Sequence, residues 1–156
     1  MQLAEFNAAA DPRAVLTECL AVPRWVDTVR AGRPYADVES LVEAAGLTLE
    51  PDEIRAAMAA HPRIGEKPKG EGTGAAWSRS EQSGVDGSTA EKFQAANAEY
   101  EARFGHVYLV CASGRSGEEL LEILRSRLGN DAGTELRIAG EELVKIAKLR
   151  LAKAVR

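Results

Sequence analysis

The sequence predicts an all-α protein, built as one compact domain of about seven to nine helices over residues 1–156. A length of 156 residues suits one domain with a substantial hydrophobic core. Aromatic residues form only 5% of the chain, so the core must consist mainly of Leu, Ile, Val and Ala, which favours packed helices over twisted sheets. The run Val107–Cys111 resembles a buried strand, but no second strand candidate could pair with it. We expect this run to be extended chain or a buried helical turn.

Proline and glycine mark the first four predicted helices. Proline at the first helical position needs no backbone acceptor, and glycine suits the turn after a helix. Apolar residues between these marks recur at helical spacing. The fourth helix must end near His61, because Pro62 cannot continue its hydrogen-bond ladder. The four helices are predicted to begin at Pro12 behind an Asp11 N-cap, at Pro23, near Asp37 and near Pro51, and the second and third to end at Gly32 and Gly46.

Serine followed three residues later by glutamate marks the next helices. This spacing matches the capping box, in which the two side chains satisfy backbone N–H groups at a helix start. A final helix carries an apolar stripe that includes Leu143 and Ile146. These helices are predicted to start at Ser78, at Ser88 with a stop at Gly105, at Ser116 with a stop at Gly129, and near Thr134.

Charge and cysteine content exclude several classes of protein. The net charge is −4, whereas nucleic-acid-binding proteins show a basic excess or a basic face. Cys19 and Cys111 lie far apart in apolar surroundings, and we expect two buried reduced thiols. There is no CxxC or Cys/His cluster, so no metal site is expected. The N-terminal residues do not show the pattern of a signal peptide, and no run of about 20 apolar residues occurs in the sequence. We therefore expect a cytoplasmic protein outside the membrane.

The two histidines, His61 and His106, are the first candidates for chemistry, because imidazole titrates near neutral pH. His61 lies where a helix breaks into an irregular stretch, and its side chain could project into a cleft there. The alternative is that it stabilises the C-terminal end of the helix dipole. His106 follows the stop at Gly105, and a polar role at the helix end is the favoured interpretation for it.

Ser78, Glu81 and Gln82 form a second candidate cluster, with a hydroxyl, a carboxylate and an amide at one helix start. A carboxylate and an imidazole that converge on one pocket can share acid/base work near neutral pH. The alternative is a plain capping box, a motif that the chain matches at two other places.

Residues 63–76 form an irregular stretch rich in Gly and Lys. A loop of this length in a compact domain is usually functional or mobile, as a lid or as a contact with a second subunit. Its GEGTG segment lacks the G-x-x-x-x-G-K-[ST] pattern and a preceding strand, so nucleotide binding is not expected.

Five short motifs stand in order along nearly the whole chain. They are Arg24-Trp25 with Arg33-Pro34-Tyr35, His61-Pro62-Arg63-Ile64-Gly65, Ser78-x-x-Glu81-Gln82, Asn97-x-x-Tyr100-x-x-x-Phe104-Gly105, and Lys145-Ile146 with Arg150-Leu151. Each motif is short, but together they resemble the pattern of the OHCU decarboxylases. These are the 2-oxo-4-hydroxy-4-carboxy-5-ureidoimidazoline decarboxylases of uric-acid degradation.

The resemblance implies an all-α fold, a homodimer, and removal of CO2 from the small molecule OHCU to give (S)-allantoin without a cofactor. It implies that His61 and Glu81 are catalytic, and we hypothesise that they form a hydrogen-bonded acid/base pair. Uricase and hydroxyisourate hydrolase would be the pathway neighbours. The positions that match substrate-contacting ones are Pro62, Ser78, Gln82, Tyr108, Leu109 and Arg150.

The chain departs from the family pattern at one place. The family's FGFPF segment reads Phe104-Gly105-His106-Val107-Tyr108 here, so a wall of the pocket is built without its proline. Two other functions stay open from the residues alone. A non-catalytic helical binding module would use His61 and Glu81 only as a helix end and a cap. A cofactor-free lyase or hydrolase of a related ureide would differ in pocket shape.

Overall fold

The computed structural model describes residues 1–65, 77, 79–83 and 87–156. All regular secondary structure in these ranges is helical, which confirms the predicted fold class. Residues 79–81 form a short helical turn. The other helices of the described chain are α1 (Leu3–Ala8), α2 (Arg13–Cys19), α3 (Pro23–Ala31), α4 (Val38–Ala44), α5 (Pro51–Met58), α6 (Gly87–Phe104), α7 (Gly117–Arg127) and α8 (Ala132–Ala154).

Several predicted helix ends are confirmed. Pro23 and Pro51 each lie at the first helical position, where the missing N–H costs no hydrogen bond. Gly32 follows α3 directly. Ser116 caps α7, and its side chain accepts a hydrogen bond from the backbone N–H of Glu119. Proline, glycine and serine therefore predict these helix ends because each suits the local backbone conformation there.

Two features of the N-terminal helices differ from the prediction: the presence of α1 and the first residue of α2. The sequence patterns do not predict α1, because its N-cap is Gln2, a residue outside the usual capping set. Gln2 and Glu5 nevertheless form a reciprocal capping box. Pro12 is the N-cap of α2 and not its first residue, so the predicted start is one position early.

Two predicted starts later in the chain lie one or two residues from the observed helix bounds. Helix α6 spans Gly87–Phe104, so Ser88 lies within its range. Helix α8 begins at Ala132 instead of near Thr134. The carboxylate of Asp131 accepts a hydrogen bond from the N–H of Thr134, and an aspartate is the stronger N-cap of the two residues.

The helices enclose two hydrophobic clusters. The first cluster is built from α1–α5 and α8, and the second from α6 and α7. The segment 107–112 passes between them and forms neither helix nor strand. Its successive residues alternate, since Leu109 packs in the first cluster while Tyr108 and Val110 pack in the second. Alternation of this kind is typical of extended chain, the first of the two predicted alternatives.

The first sequence motif holds the first cluster together. Trp25 is fully buried, and its Nε1 donates a hydrogen bond to the carbonyl of Ala45 at 2.9 Å. Arg33 Nη1 donates to the carbonyls of Phe6 and Ala9 at 2.9 and 2.7 Å. These bonds satisfy backbone groups at two helix ends, so the motif has a structural role away from the predicted site residues.

The cysteines and the length and hydropathy of the helices were predicted from composition. Cys19 is buried as expected, but Cys111 is only half-buried, and both thiols are free. Burial raises the pKa of both thiols. None of the described helices combines the length and apolar character that crossing a bilayer requires.

Candidate active site

A small pocket lies where the end of α5, the turn 79–81, the segment 107–112 and α8 meet. Its cavity volume is about 20 Å³, which is close to the space that one ordered water needs. Side chains from distant parts of the sequence converge on it. The lining residues are His61, Pro62, Ile64, Glu81, Gln82, Tyr108, Leu109, Val110, Ala112 and Ile146.

His61 stands just beyond α5, where Pro62 turns the chain away from the helix axis. Its backbone N–H donates to the carbonyl of Met58 at 3.1 Å and closes the last turn. Burial, together with the positive charge of Arg150, lowers the pKa of His61 to about 4. The imidazole is therefore neutral at pH 7, with one ring nitrogen able to accept a proton.

Glu81 forms a bidentate ion pair with Arg150. Nε of Arg150 donates to Oε2 at 3.0 Å and Nη2 donates to Oε1 at 2.9 Å. Both side chains are buried, and the Arg150 Cζ lies 5.7 Å from the ring centroid of Trp77. Among the hydrogen bonds of the described residues, none joins Glu81 to His61. The carboxylate therefore faces a guanidinium in this structure, where the sequence hypothesis has it facing the imidazole.

The loop after α5 is fixed from two sides. Oε1 of Gln82 accepts a hydrogen bond from the N–H of Gly65 at 3.0 Å, and Nε2 of the same amide donates to the carbonyl of Arg63 at 3.4 Å. From α6, Nδ2 of Asn97 donates to the carbonyl of Ile64 at 2.9 Å. Gly65 has a φ of 91°, a conformation that favours glycine and accounts for this residue of the motif.

The segment 107–112 forms the opposite wall and is held at three points. The hydroxyl of Tyr108 donates to a carbonyl of α7 at 2.9 Å. Nη1 of Arg127 donates to the carbonyl of Leu109 at 2.7 Å. The N–H of Cys111 donates to Oε1 of Glu142 at 3.2 Å. Two backbone groups of this segment, the Leu109 carbonyl and the Cys111 N–H, are thus satisfied by side chains of neighbouring helices.

His106 stands beside this wall and does not line the pocket. Its ring centroid lies 5.6 Å from that of Tyr100 and 6.1 Å from that of Phe104. Its Nδ1 lies 3.1 Å from the carbonyl oxygen of Val107. This aromatic packing, in the place of the usual Phe-Pro pair, agrees with a role at the helix end.

The family model for OHCU decarboxylase matches residues 7–152, which is almost the whole chain. The chain belongs to the OHCU decarboxylase family. The family predicted from the five motifs is therefore confirmed.

Named relatives and a solved structure agree with this membership. The 2-oxo-4-hydroxy-4-carboxy-5-ureidoimidazoline decarboxylase of Amia calva is 32% identical over 131 residues, covering 79% of this chain and 75% of the relative. The protein of the same name from Haloferax volcanii is 28% identical over 134 residues, covering 83% of this chain and 80% of the relative. A crystal structure of OHCU decarboxylase in the presence of (S)-allantoin superposes with a TM-score of 0.70 and 25% identity, covering 88% of this chain and 94% of the other.

In this OHCU decarboxylase family member, the structure gathers most of the predicted site residues around one pocket. His61, Glu81, Pro62, Gln82, Tyr108 and Leu109 line it. Arg150 adjoins it through its ion pair with Glu81. Ser78 and residues 66–76 of the predicted loop lie outside the described residues. Within the described ranges, no group of three or more His, Cys, Asp or Glu side chains could hold a metal ion.

No sequence motif contains the two buried charges behind the wall. Arg127 and Glu135 are 6% and 0% exposed, and they form an ion pair with each other. Only Tyr100, whose hydroxyl bonds Glu135, stands in a recognised motif. A glutamate in the first turn of a helix reads as an ordinary partner of the helix dipole, so the sequence carries no signal for its burial.

Proposed function

We propose that this member of the OHCU decarboxylase family removes CO2 from OHCU to give (S)-allantoin in urate degradation, with His61 and Glu81 as the catalytic residues. The observation that carries the proposal is the pocket itself. It brings a neutral imidazole and a buried carboxylate–guanidinium pair to one small cavity. The names of the relatives, and of the crystal structure solved with (S)-allantoin, support the choice of substrate and product.

The name of the substrate states its chemistry: a carboxyl and a hydroxyl group share ring carbon 4, and a ureido group is on carbon 5. When the bond from C4 to the carboxylate breaks, CO2 leaves and the electron pair spreads over the ring as an enolate-like anion. One proton from solvent neutralises this anion as an enol. Transfer of the hydroxyl proton to C5 then forms the ring carbonyl at C4 and the new C–H bond at C5. The ring acts as its own electron sink, the role that an organic cofactor has in many decarboxylases.

His61 suits the proton transfer between oxygen and carbon. With its pKa lowered to about 4, the free imidazole is available at neutral pH to accept the hydroxyl proton. The resulting imidazolium can then deliver that proton to one face of C5, which sets the configuration of the product. Acid/base groups positioned in this way accelerate reactions by about 10²- to 10⁴-fold.

Arg150 is the residue proposed to bind the substrate carboxylate or ureido group, because a guanidinium suits planar acceptors. In this structure its guanidinium forms two hydrogen bonds with Glu81. In this proposal, substrate binding widens the small cavity beside the pair, whose volume is about 20 Å³. A substrate carboxylate that competes for Arg150 would release Glu81 to pair with His61, and this exchange would assemble the acid/base pair on binding.

The remaining predicted residues have supporting roles in the proposal. Backbone N–H groups near Leu109, together with Ser78 and Gln82, would bind ring oxygens where negative charge develops. Pro62 and Tyr108 would shape the apolar part of the pocket. Gln82 already bonds the loop after α5, so its side-chain amide links that loop to the pocket lining.

We further propose that the protein is a single domain over residues 1–156, a homodimer, and cytoplasmic. Uricase and hydroxyisourate hydrolase would precede it in the pathway, since their consecutive action on urate supplies OHCU. The resemblance to OHCU decarboxylases supports the dimer. Sedimentation equilibrium of the purified chain would measure its mass in solution, and a monomer at micromolar concentration would contradict the dimer.

The activity is tested by following allantoin formation with circular dichroism. OHCU is generated from urate by purified uricase and hydroxyisourate hydrolase, with and without this protein. We expect a rapid (S)-allantoin signal with the protein and racemic product at the spontaneous rate without it. His61→Asn and Glu81→Gln should lose most of kcat, whereas Glu119→Gln, the same change at an exposed position of α7, should keep it. Near-wild-type turnover by a folded His61→Asn protein would contradict the assignment.

Two other outcomes would favour other functions. If OHCU is not consumed but another ureide is, the pocket belongs to a related ureide lyase or hydrolase. If no ureide is consumed while the protein still binds one, the chain is a helical binding module.

A further inference from the structure

We propose that Arg127 is a positioning residue for the reaction, which it serves by fixing the peptide between Leu109 and Val110. The inference rests on the proposed function, because the peptide it fixes faces the pocket of that reaction. Arg127 is the last residue of α7 and is 6% exposed. It does not line the pocket, so it acts from behind the wall.

The guanidinium of Arg127 is held in one orientation by several contacts. Its Nη1 donates to the carbonyl of Leu109 at 2.7 Å, while its Nε donates to Oε1 of Glu135 at 2.6 Å. Its Cζ lies 4.9 Å from the ring centroid of Tyr108. Different nitrogens of one rigid planar group therefore bridge the wall of the pocket and a buried carboxylate.

Glu135 is itself fixed from other directions. Its side chain is fully buried at the start of α8. The hydroxyl of Tyr100 donates to Oε1 at 2.5 Å, and Nδ2 of Asn130 donates to Oε2 at 3.1 Å. A buried carboxylate with donors on both oxygens has little freedom to rotate, so it keeps Arg127 aimed at the wall. This gives a function to the tyrosine of the Asn97–Gly105 motif, which does not line the pocket.

The consequence for the pocket follows from the planarity of the peptide bond. In a trans peptide the C=O and the next N–H point in opposite directions. With the Leu109 carbonyl bound to Arg127, the N–H of Val110 points away from Arg127, and both Leu109 and Val110 line the pocket. Val110 is 3% exposed, and its N–H bonds no backbone carbonyl of the described residues. The geometry thus presents a buried donor for an oxygen of the substrate that gains negative charge during decarboxylation.

The hydrogen bonds on either side of this peptide do not fix its plane, which depends on the bond from Arg127. Tyr108 is bound to α7 through its hydroxyl, and the N–H of Cys111 is bound to Glu142. These bonds secure the ends of the wall without fixing the plane of the peptide between Leu109 and Val110. Loss of the bond from Arg127 would therefore let that peptide rotate while the rest of the wall stays in place.

The test substitutes Arg127→Lys in the full chain. Lysine keeps the charge opposite Glu135, but its single nitrogen cannot span the carboxylate and the Leu109 carbonyl as the arginine fork does. Removal of one preorganised donor to a developing oxyanion costs about 10²- to 10³-fold in kcat, and we expect about ten- to a hundredfold from a donor that is only misaligned. KM should change less than about threefold, because the donor acts mainly in the transition state. The enantiomeric excess of the enzymatic allantoin should fall as well.

Two controls separate positioning from lost stability. Arg125→Lys makes the same change at an exposed position of the same helix and should match the wild type. Leu41→Ala removes a fully buried side chain from the first cluster, so it should lower Tm while kcat at 25 °C stays within about twofold. If Arg127→Lys does not fold, Tyr100→Phe removes one donor to Glu135 and should lower kcat about two- to tenfold by the same route.

The possible results are distinct. A wild-type protein that forms no (S)-allantoin would defeat the proposed function. An active wild type with unchanged kcat and enantiomeric excess in Arg127→Lys, or in Tyr100→Phe where that variant is used instead, would overturn this inference alone. A loss of kcat in Leu41→Ala as large as that in Arg127→Lys would also overturn it, since lost stability would then account for both.

Discussion

The buried ion pair between Glu81 and Arg150 allows a quantitative test of the pocket. Both side chains are at most 9% exposed, and two hydrogen bonds of 3.0 and 2.9 Å join them. Glu81→Gln or Arg150→Met alone removes one charge of this pair and leaves the other buried. Such a change costs about 3–5 kcal/mol, because the remaining ion keeps its desolvation penalty and loses its attraction.

The double variant Glu81→Gln/Arg150→Met removes both charges, so it avoids most of that penalty. We expect it to be more stable than the sum of the single effects predicts, by at least about 2 kcal/mol. For a chain of this length, 1 kcal/mol corresponds to about 2–4 °C in Tm, so each single variant should melt about 6–20 °C below the wild type. All three variants should lack turnover.

Urea unfolding followed by circular dichroism measures the free energy of unfolding of the wild type, the two single variants and the double variant, which together form a double-mutant cycle. The exposed pair Arg137–Glu141 provides the control, with an N···O distance of 2.7 Å and side chains 63% and 56% exposed. The same substitutions there, Arg137→Met and Glu141→Gln, should each cost less than about 1 kcal/mol, because water screens the charges. If Glu81→Gln and Arg150→Met each changed the free energy of unfolding by less than about 1 kcal/mol, and the two effects were additive, the buried ion pair would be refuted.

Three further predictions concern other parts of the molecule. His61 has its pKa lowered from 6.5 to about 4, so kcat/KM should fall below about pH 5, and a fall centred near pH 6.5 would contradict the neutral base. Between pH 4 and pH 6.5 the unfolded chain binds a proton at His61 that the folded chain does not bind. The free energy of unfolding that the neutral imidazole contributes is therefore lost as the pH decreases from 6.5 towards 4, and urea titrations over this range would measure the loss. Gly65→Ala places a Cβ at a φ of 91° and 3.2 Å from a side-chain atom of α6, and it should cost about 1–3 kcal/mol and lower kcat. Gly105→Ala is the control, because Gly105 has a φ of 76° and open space around the new Cβ, so only the backbone strain should be felt. If Gly65→Ala and Gly105→Ala lose the same amount of kcat, the loop after α5 has no specific role in turnover. Gly140→Ala brings a Cβ within 2.6 Å of Ile54 Cδ1 and should cost about 1–3 kcal/mol in thermal melts, with partial recovery in Gly140→Ala/Ile54→Val.

The helices were the most predictable part of the fold, because their marks are local. Pro23, Pro51 and Ser116 begin helices for reasons that involve only their own backbone and the next few residues. Where the local signal is ambiguous, the predicted and observed helix starts differ. Ser88 has the spacing of a capping box but lies inside α6, and Gln2 caps α1 without belonging to the usual set.

The candidate site was predictable only in part, because its contacts join residues that are distant in sequence. The motifs identify His61 and Glu81 as candidates, and both line one pocket. The partner of Glu81 is Arg150, 69 residues away, and no pattern of spacing encodes that pairing. Only the packing of α8 against the rest of the chain places it there. The roles of these residues in catalysis remain predictions for the turnover assays to decide.

The course of the segment 107–112 between the two hydrophobic clusters has a consequence for cooperativity. Because Leu109 belongs to one cluster while Tyr108 and Val110 belong to the other, this wall of the pocket is also part of the joint between the two halves of the molecule. A partial opening of either half, long before the helices melt, shifts this wall relative to the rest of the pocket. Turnover should therefore disappear at a lower urea concentration than the helical signal does, and the interval between the two transitions measures how tightly the halves are coupled.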